Sequence, residues 1–268
     1  MSLFTQNIKK IFNKERKEPI VGITSYDYIT AKIVEEAKVD FILIGDSAGM
    51  VMLGDEDTYG ISMEEMLIFA KAVSKGALNT FRIGDMPFLS YQISKEQAIY
   101  NAGIFIKKGR CHAVKLEGGK EVAHLVEAIV KAGIPVMGHI GLTPQRAIEL
   151  GGLKIQGRDE ETAKKLLEDA LALQKAGVFA LVIECVPEAL AKKITQSLRI
   201  PTIGIGAGRF TDGQILVFHD VVGLFQRFKP KFVKKYIDGF LLFKQAVMNY
   251  VQEVKEGKFP AKEHIFEK

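Results

Sequence analysis

Short runs of β-branched and apolar residues recur along the chain, at 19–24, 41–46, 81–87, 113–117, 134–139, 179–184 and 201–206, with 215–219 as an eighth candidate. Between them lie amphipathic stretches with apolar residues at helical spacing, over 29–37, 62–75, 95–108, 121–132, 160–176 and 187–198. Strands that alternate with helices pair in parallel, because each crossover helix returns the chain to the same end of the sheet. Seven or eight such units suffice to close a cylinder, so the rhythm predicts a (β/α)8 TIM barrel. An open doubly wound sheet is the runner-up. Residues 1–18 predict an extra N-terminal helix outside the repeat, and 231–256 predict one or two C-terminal helices. No linker or low-complexity stretch divides the chain, so one domain over 1–268 is expected.

Local chemistry supports the boundaries. Lys131-Ala132-Gly133 and Lys175-Ala176-Gly177 each precede a strand run, where glycine supplies the left-handed residue that ends a helix. A hydrophobic content of 47% over 268 residues is enough for a large core. The net charge of +5 comes from clusters such as Lys9-Lys10, 14–17 and 229–235. Acidic residues intersperse the basic ones and no aromatic stacking motif accompanies them. A solvated surface is therefore favoured over a nucleic-acid or membrane site. Cys111 and Cys185 form no Cys-x-x-Cys pair and lie in apolar strand-like runs, so each reads as a small buried hydrophobe. No apolar run approaches the ~20 residues a membrane span needs. The N-terminus lacks an apolar stretch before a small-residue cleavage site, so the cytoplasm is the expected compartment.

The acidic residues fall where a barrel would use them. Asp46, Asp85, Glu117 and Glu184 each end a β-run, and His139 closes another. In a closed barrel all C-terminal strand ends meet at one mouth, which is where active sites of this architecture lie. Strand alternation puts Lys115 and Glu117 on one face. A single Asp at a strand end is more often a turn former or helix cap, and Ser47, Ser62 and Ser94 have the same option. Four carboxylates meeting at one mouth repel unless a cation or a proton balances them. The favoured reading is therefore a hard metal held by Asp46, Asp85 and Glu117, with water and substrate oxygens completing the shell, which suits Mg2+. His112, His124, His139, His219 and His264 are scattered, which disfavours zinc, and His112 reads as an outward-facing packing residue. Gly204-Ile205-Gly206-Ala207-Gly208 is not a G-x-G-x-x-G fingerprint, because Arg209 follows it. A tight loop at the mouth is its favoured role, with a phosphate or cofactor contact as the alternative. The loops at 54–60 and 151–158 are long enough to act as lids.

An ordered set of motifs then makes the reading specific. It comprises Gly45-Asp46-Ser47-Ala48-Gly49-Met50, Asp85-Met86-Pro87-Phe88 and Val114-Lys115-Leu116-Glu117-Gly118-Gly119, followed by Gly138-His139-Ile140-Gly141-Leu142-Thr143-Pro144-Gln145. Glu184-Cys185-Val186-Pro187, the glycine run and Thr211-Asp212-Gly213-Gln214-Ile215-Leu216 complete it. Together these resemble the ketopantoate hydroxymethyltransferase family from about residue 24 to 266. The resemblance implies a (β/α)8 barrel, a homo-oligomer (typically a decamer) and a Mg2+ site. It also implies hydroxymethyl transfer from 5,10-methylenetetrahydrofolate to 3-methyl-2-oxobutanoate, on the route to pantothenate. Carried over by motif, Asp46, Asp85 and Glu117 resemble metal ligands. Asp46, Ser47, Asp85 and Lys115 resemble the substrate contacts, His139 lines the same pocket, and Glu184 resembles the proton acceptor.

Some positions depart from the family pattern. Residues 55–60 replace a stretch usually carrying a His after the Gly and Leu-Pro after the Thr, so that Tyr59-Gly60 follows Thr58. Gly84 stands where Ala is common, and Arg110-Cys111 where Ala-Asn is usual. A rival reading is a Mg2+-dependent barrel of the phosphoenolpyruvate mutase and isocitrate lyase kind. Those enzymes usually carry a catalytic Cys in a Lys-containing loop, and Lys115-Leu116-Glu117-Gly118 offers none. A non-catalytic barrel is a second rival, against which four mutually repelling carboxylates argue.

Overall fold

The computed structural model describes residues 8–266. Its eight parallel strands close into a barrel in chain order: β1 (Ile20–Thr24), β2 (Phe41–Ile44), β3 (Phe81–Asp85), β4 (Ala113–Glu117), β5 (Val136–Gly141), β6 (Ala180–Glu184), β7 (Thr202–Ile205) and β8 (Gly213–Leu216). Pairing of β1 with β8, through Ile20↔Gly213 and Gly22↔Ile215, seals the cylinder and excludes the open sheet. The helices between strands are α2 (Tyr28–Glu36), α3 (Met63–Gly76), α4 (Lys95–Lys107), α5 (Ala123–Lys131), α6 (Glu160–Ala176) and α7 (Glu188–Ser197). Each starts within two residues of its sequence-based expectation.

The start of a helix leaves backbone N–H groups without partners, and this chain supplies side-chain oxygens for several of them. Asp27, Ser62, Ser94 and Asp159 accept from the first turns of α2, α3, α4 and α6. Glu65 returns the bond to Ser62, making a reciprocal box. Gly133 and Gly177 take positive φ of 86° and 99° after α5 and α6, as the helix ends require.

Inside the barrel, strand alternation stacks Ile20, Phe41, Leu43, Phe81, Ile83, Ala113, Met137, Ala180, Val182, Ile203 and Ile215 into one apolar cluster. Phe12, from the segment before β1, joins this cluster. Its ring lies 4.8–5.5 Å from those of Phe41, Phe81 and Phe179, residues at or near the N-terminal ends of their strands. One end of the cylinder is thereby filled with aromatic surface.

Three expectations are corrected. The eighth strand is Gly213–Leu216 rather than 215–219, because Phe218–Val221 turns into the short helix α8. The N-terminal helix expected over 1–18 is one turn, α1 (Ile8–Ile11), among the described residues; its first seven positions lie outside them. Cys185 follows β6, is partly exposed and has φ 47°, whereas Cys111 is buried as expected. The chain divides into two compact units, Met1–Val217 and Phe218–Lys268. The second holds α8 and a long helix, α9 (Gly239–Lys255), within the 231–256 stretch expected to be helical.

Candidate active site

The alternation that fills the barrel with apolar side chains also delivers the charged ones. Phe81 and Ile83 are followed, on the same face of β3, by Asp85; Ala113 on β4 is followed by Lys115 and Glu117. Met137 on β5 is followed by His139, and Ala180 and Val182 on β6 by Glu184. The apolar layers end and a polar layer begins at the C-terminal ends of the strands. Asp46 lies two residues beyond β2, and His139 sits inside β5 because that strand continues to Gly141.

These side chains form one connected group. Lys115 Nζ lies 2.9 Å from Asp85 Oδ1 and 3.4 Å from Glu117 Oε1. His139 Nδ1 is 3.3 Å from Glu117 Oε1, and its Nε2 is 3.3 Å from Glu184 Oε2. Asp46 joins through its backbone N–H, which donates to Asp85 Oδ2 at 3.1 Å. Asp46, Asp85, Lys115, Glu117 and His139 are all at most 5% exposed, whereas Glu184 is more open. Ser47 caps no helix; its hydroxyl pairs with that of Tyr26 at 2.8 Å. Ser62 and Ser94 are caps, as the alternative reading had it.

Burial and mutual charge decide the protonation states. Burial alone would strip Lys115 of its proton, but Asp85, Glu117 and Asp46 outweigh it and hold the ammonium charged. Burial and Lys115 both push His139 down, yet the charge of Glu117 and contacts with Glu117 and Glu184 raise it to about 9. His139 Nδ1 also lies 3.2 Å from Lys115 Nζ, so the ring stands between the ammonium and the carboxylates. Glu117 resists its own burial and falls to about 2, because Lys115, His139 and the Gln145 backbone N–H stabilise its charge. Asp46 goes the other way: burial first, then Asp85 and Glu117, raise it well above the usual carboxylate range. Asp85 is raised chiefly by burial, against the opposing pull of Lys115.

The carboxylates Asp46, Asp85, Glu117 and Glu184 thus crowd around one ammonium and one imidazole. The rise of Asp46 and Asp85 is the response to that crowding, which either a proton on the carboxylates or a divalent cation would relieve. Among the described residues, no group of three or more His, Cys, Asp or Glu side chains is gathered closely enough to hold a metal ion by itself. The donor chemistry nevertheless fits a hard cation that takes part of its shell from substrate and water. Asp85 Oδ1 is buried without a hydrogen-bond partner, its approach to Lys115 being an ion pair rather than an aligned hydrogen bond. Asp46 and Asp85 are the two carboxylates suited to hold such an ion. Glu117 carries three partners, Lys115, His139 and the Gln145 N–H, where Asp85 has Lys115 and the Asp46 N–H.

Sequence reasoning gave no role to the neutral residues that frame the group. Tyr91 and Gln145, in the segments that follow β3 and β5, are buried and hydrogen-bonded to it, and Tyr26 holds Ser47. Gln145 lies within a motif the sequence singled out, but an uncharged amide carries no charge-pattern signal. His112 is a packing residue that precedes β4 rather than lying on it. Its ring stacks on Phe81 at 5.0 Å and its Nδ1 accepts from the Arg82 N–H. Above the group, the Tyr59 hydroxyl accepts from the Ile148 N–H at 3.0 Å and its ring meets Phe88 edge-on, which ties three of the mouth loops together.

The ketopantoate hydroxymethyltransferase family profile matches residues 5–262. A 3-methyl-2-oxobutanoate hydroxymethyltransferase of Carboxydothermus hydrogenoformans is 57% identical, over 94% of this chain and 92% of the relative. The enzyme of the same name from Kosmotoga olearia is 53% identical, over 97% of both chains. Among solved structures, phosphonopyruvate hydrolase superposes with a TM-score of 0.64 at 12% identity, covering 97% of this chain and 90% of that one. Phosphoenolpyruvate phosphomutase of Streptomyces platensis subsp. rosaceus gives 0.61 at 15% identity, covering 95% and 89%. At such identities these two likenesses concern the barrel alone.

Proposed function

The chain belongs to the ketopantoate hydroxymethyltransferase family and is an enzyme of that class, and from that premise we propose that it moves the one-carbon unit of 5,10-methylenetetrahydrofolate onto C3 of 3-methyl-2-oxobutanoate, in the cytoplasm, as a step toward pantothenate. The observation that carries this reading is the cluster of Asp46, Asp85, Glu117 and Glu184 gathered around Lys115 and His139 at the C-terminal mouth. A 2-oxo acid presents a carboxylate and a keto oxygen, which a divalent ion can chelate together. Asp46 and Asp85 would hold Mg2+, and Glu117 would join them only by giving up Lys115 or His139. When bound, the ion would polarise the keto group and lower the cost of negative charge on its oxygen as C3 loses a proton.

The protein's own groups do the rest. Glu184 is the most open carboxylate of the group and takes the C3 proton, while His139 holds one of its oxygens. Lys115, kept charged by its neighbours, offsets the negative charge of the substrate carboxylate, and Ser47 donates to that carboxylate. Water cleaves both C–N bonds of the methylene bridge, its oxygen going to the one-carbon unit and its two protons to the folate nitrogens; the C3 carbanion adds to the carbonyl carbon so formed, and the proton held by Glu184 passes to the new hydroxyl oxygen. We propose that residues 1–268 act as one catalytic domain, with the chemistry in the barrel and self-association through the second unit.

The test is deuterium exchange at C3 of 3-methyl-2-oxobutanoate in D2O, with and without Mg2+. Exchange that depends on Mg2+, followed by ketopantoate on adding methylenetetrahydrofolate, supports the reading. Exchange at the same rate in the presence of a chelator would remove the metal from it.

A further inference from the structure

Gln145 stands on a single 3-10 turn, Pro144–Arg146, just after β5, and is 1% exposed. Its Nε2 donates to Asp46 Oδ2 at 2.8 Å and to the Met86 carbonyl at 3.0 Å. The Met86 carbonyl can only accept, so the amide nitrogen faces it: the reverse would set Gln145 Oε1 against that carbonyl oxygen. The Tyr91 hydroxyl lies 2.9 Å from Gln145 Oε1 and 3.0 Å from the Glu117 carbonyl, sharing one proton between them, and accepts from the Glu117 N–H at 3.3 Å, so it braces the amide from the other side. The Gln145 backbone N–H meanwhile donates to Glu117 Oε2 at 3.0 Å. One buried residue therefore engages an oxygen on each of two carboxylates that belong to different strands.

We propose that Gln145 is the positioning residue that divides labour among the acidic side chains, occupying one oxygen each of Asp46 and Glu117 so that Asp46 and Asp85 are left to a divalent cation and Glu117 to Lys115 and His139. The inference rests on the reading that Asp46 and Asp85 hold Mg2+. Gln145 itself touches neither ion nor substrate in this role. An outer partner that orients a ligand typically sets roughly 10- to 100-fold of metal affinity. Tyr91 acts one step further out, by keeping the amide from turning.

Calorimetric titration of Mg2+ into the full-length protein, in the presence of 3-methyl-2-oxobutanoate, tests this on wild type, Gln145→Met and Tyr91→Phe. Gln145→Met removes both side-chain donors at nearly constant volume and is expected to weaken Mg2+ binding roughly 10- to 100-fold. Tyr91→Phe removes the hydroxyl, and with it the contact to Gln145 Oε1 and those to the Glu117 backbone, and is expected to weaken it about 3- to 10-fold. In C3 exchange, both variants should need more Mg2+ yet approach the wild-type rate at saturation, a split that general destabilisation would not produce. A wild type that binds no Mg2+ overturns the metal reading, and this inference with it. Wild-type binding with unchanged affinity in the variants overturns the positioning role alone. If Gln145→Met fails to fold, Tyr91→Phe decides the matter by the same criterion.

Discussion

Gly84 stands one position before Asp85, where the family commonly has Ala. A Cβ there would come within 2.4 Å of the Phe105 ring, which α4 packs against the outside of β3. The Phe105 ring fills the space an alanine methyl would need, so in this chain the position answers to packing. Gly84→Ala should destabilise by about 1–3 kcal/mol through overpacking, read from urea unfolding. Adding Phe105→Leu should recover part of that loss, because the two sites share one space; additive losses would show that they do not. Glu184 gives the chemical counterpart. Glu184→Gln should keep Mg2+ binding and lose C3 exchange by roughly 10²–10⁴-fold, the usual worth of a general base. An unchanged exchange rate would remove Glu184 from its role. At this scale the sequence disclosed the charged residues, because ionisable groups at strand ends are conspicuous. Gln145, Tyr91 and Tyr26 stayed hidden, because what they do depends on where a neutral donor points, and that is fixed only by folding.

Among the elements, the regular units were legible because short continuous apolar runs, buried on both faces in the barrel, differ sharply from longer stretches with a 3.6-residue period. Helix α6 falls on the 160–176 stretch expected for it. The eighth strand was misplaced because Ile215-Leu216-Val217-Phe218 is apolar throughout, and such a run has no internal marker for its own end. Its true start lies at Gly213, where a Cβ would sit 2.3 Å from the Ile20 carbonyl, so the closing pair with β1 needs glycine there. The loops were legible only as lengths. Tyr59, which departs from the family's Leu-Pro, supplies both a hydroxyl for the Ile148 N–H and a ring for Phe88. Tyr59→Phe keeps the ring and deletes the hydroxyl. Hydrogen exchange across residues 146–152 should then quicken about 2- to 10-fold, as expected for one hydrogen bond. Equal protection in the two proteins would mean that the loop is held by other contacts.

At the scale of the whole molecule, the second unit raises a question that the barrel does not. Every residue from 240 to 255 on α9 is exposed, although many of them are apolar. Phe240, Phe243, Val247, Tyr250 and Val254 recur at alternating spacings of three and four, all between 45% and 63% exposed. That period keeps one apolar seam along a helix and suits packing against a second helix. A seam of this length is costly to leave in water. Under the proposal that the chain self-associates through this unit, the partner is another copy of the chain. Placing charge in the seam, as in Phe243→Glu with Val247→Glu, should leave the barrel's circular dichroism unchanged. It should also move the protein to a smaller species in sedimentation equilibrium, whereas wild type should sediment as a multiple of the 29.7 kDa chain. A wild-type protein that is monomeric at micromolar concentration, or a doubly charged variant that keeps the wild-type mass, would show that α9 is not where the copies meet.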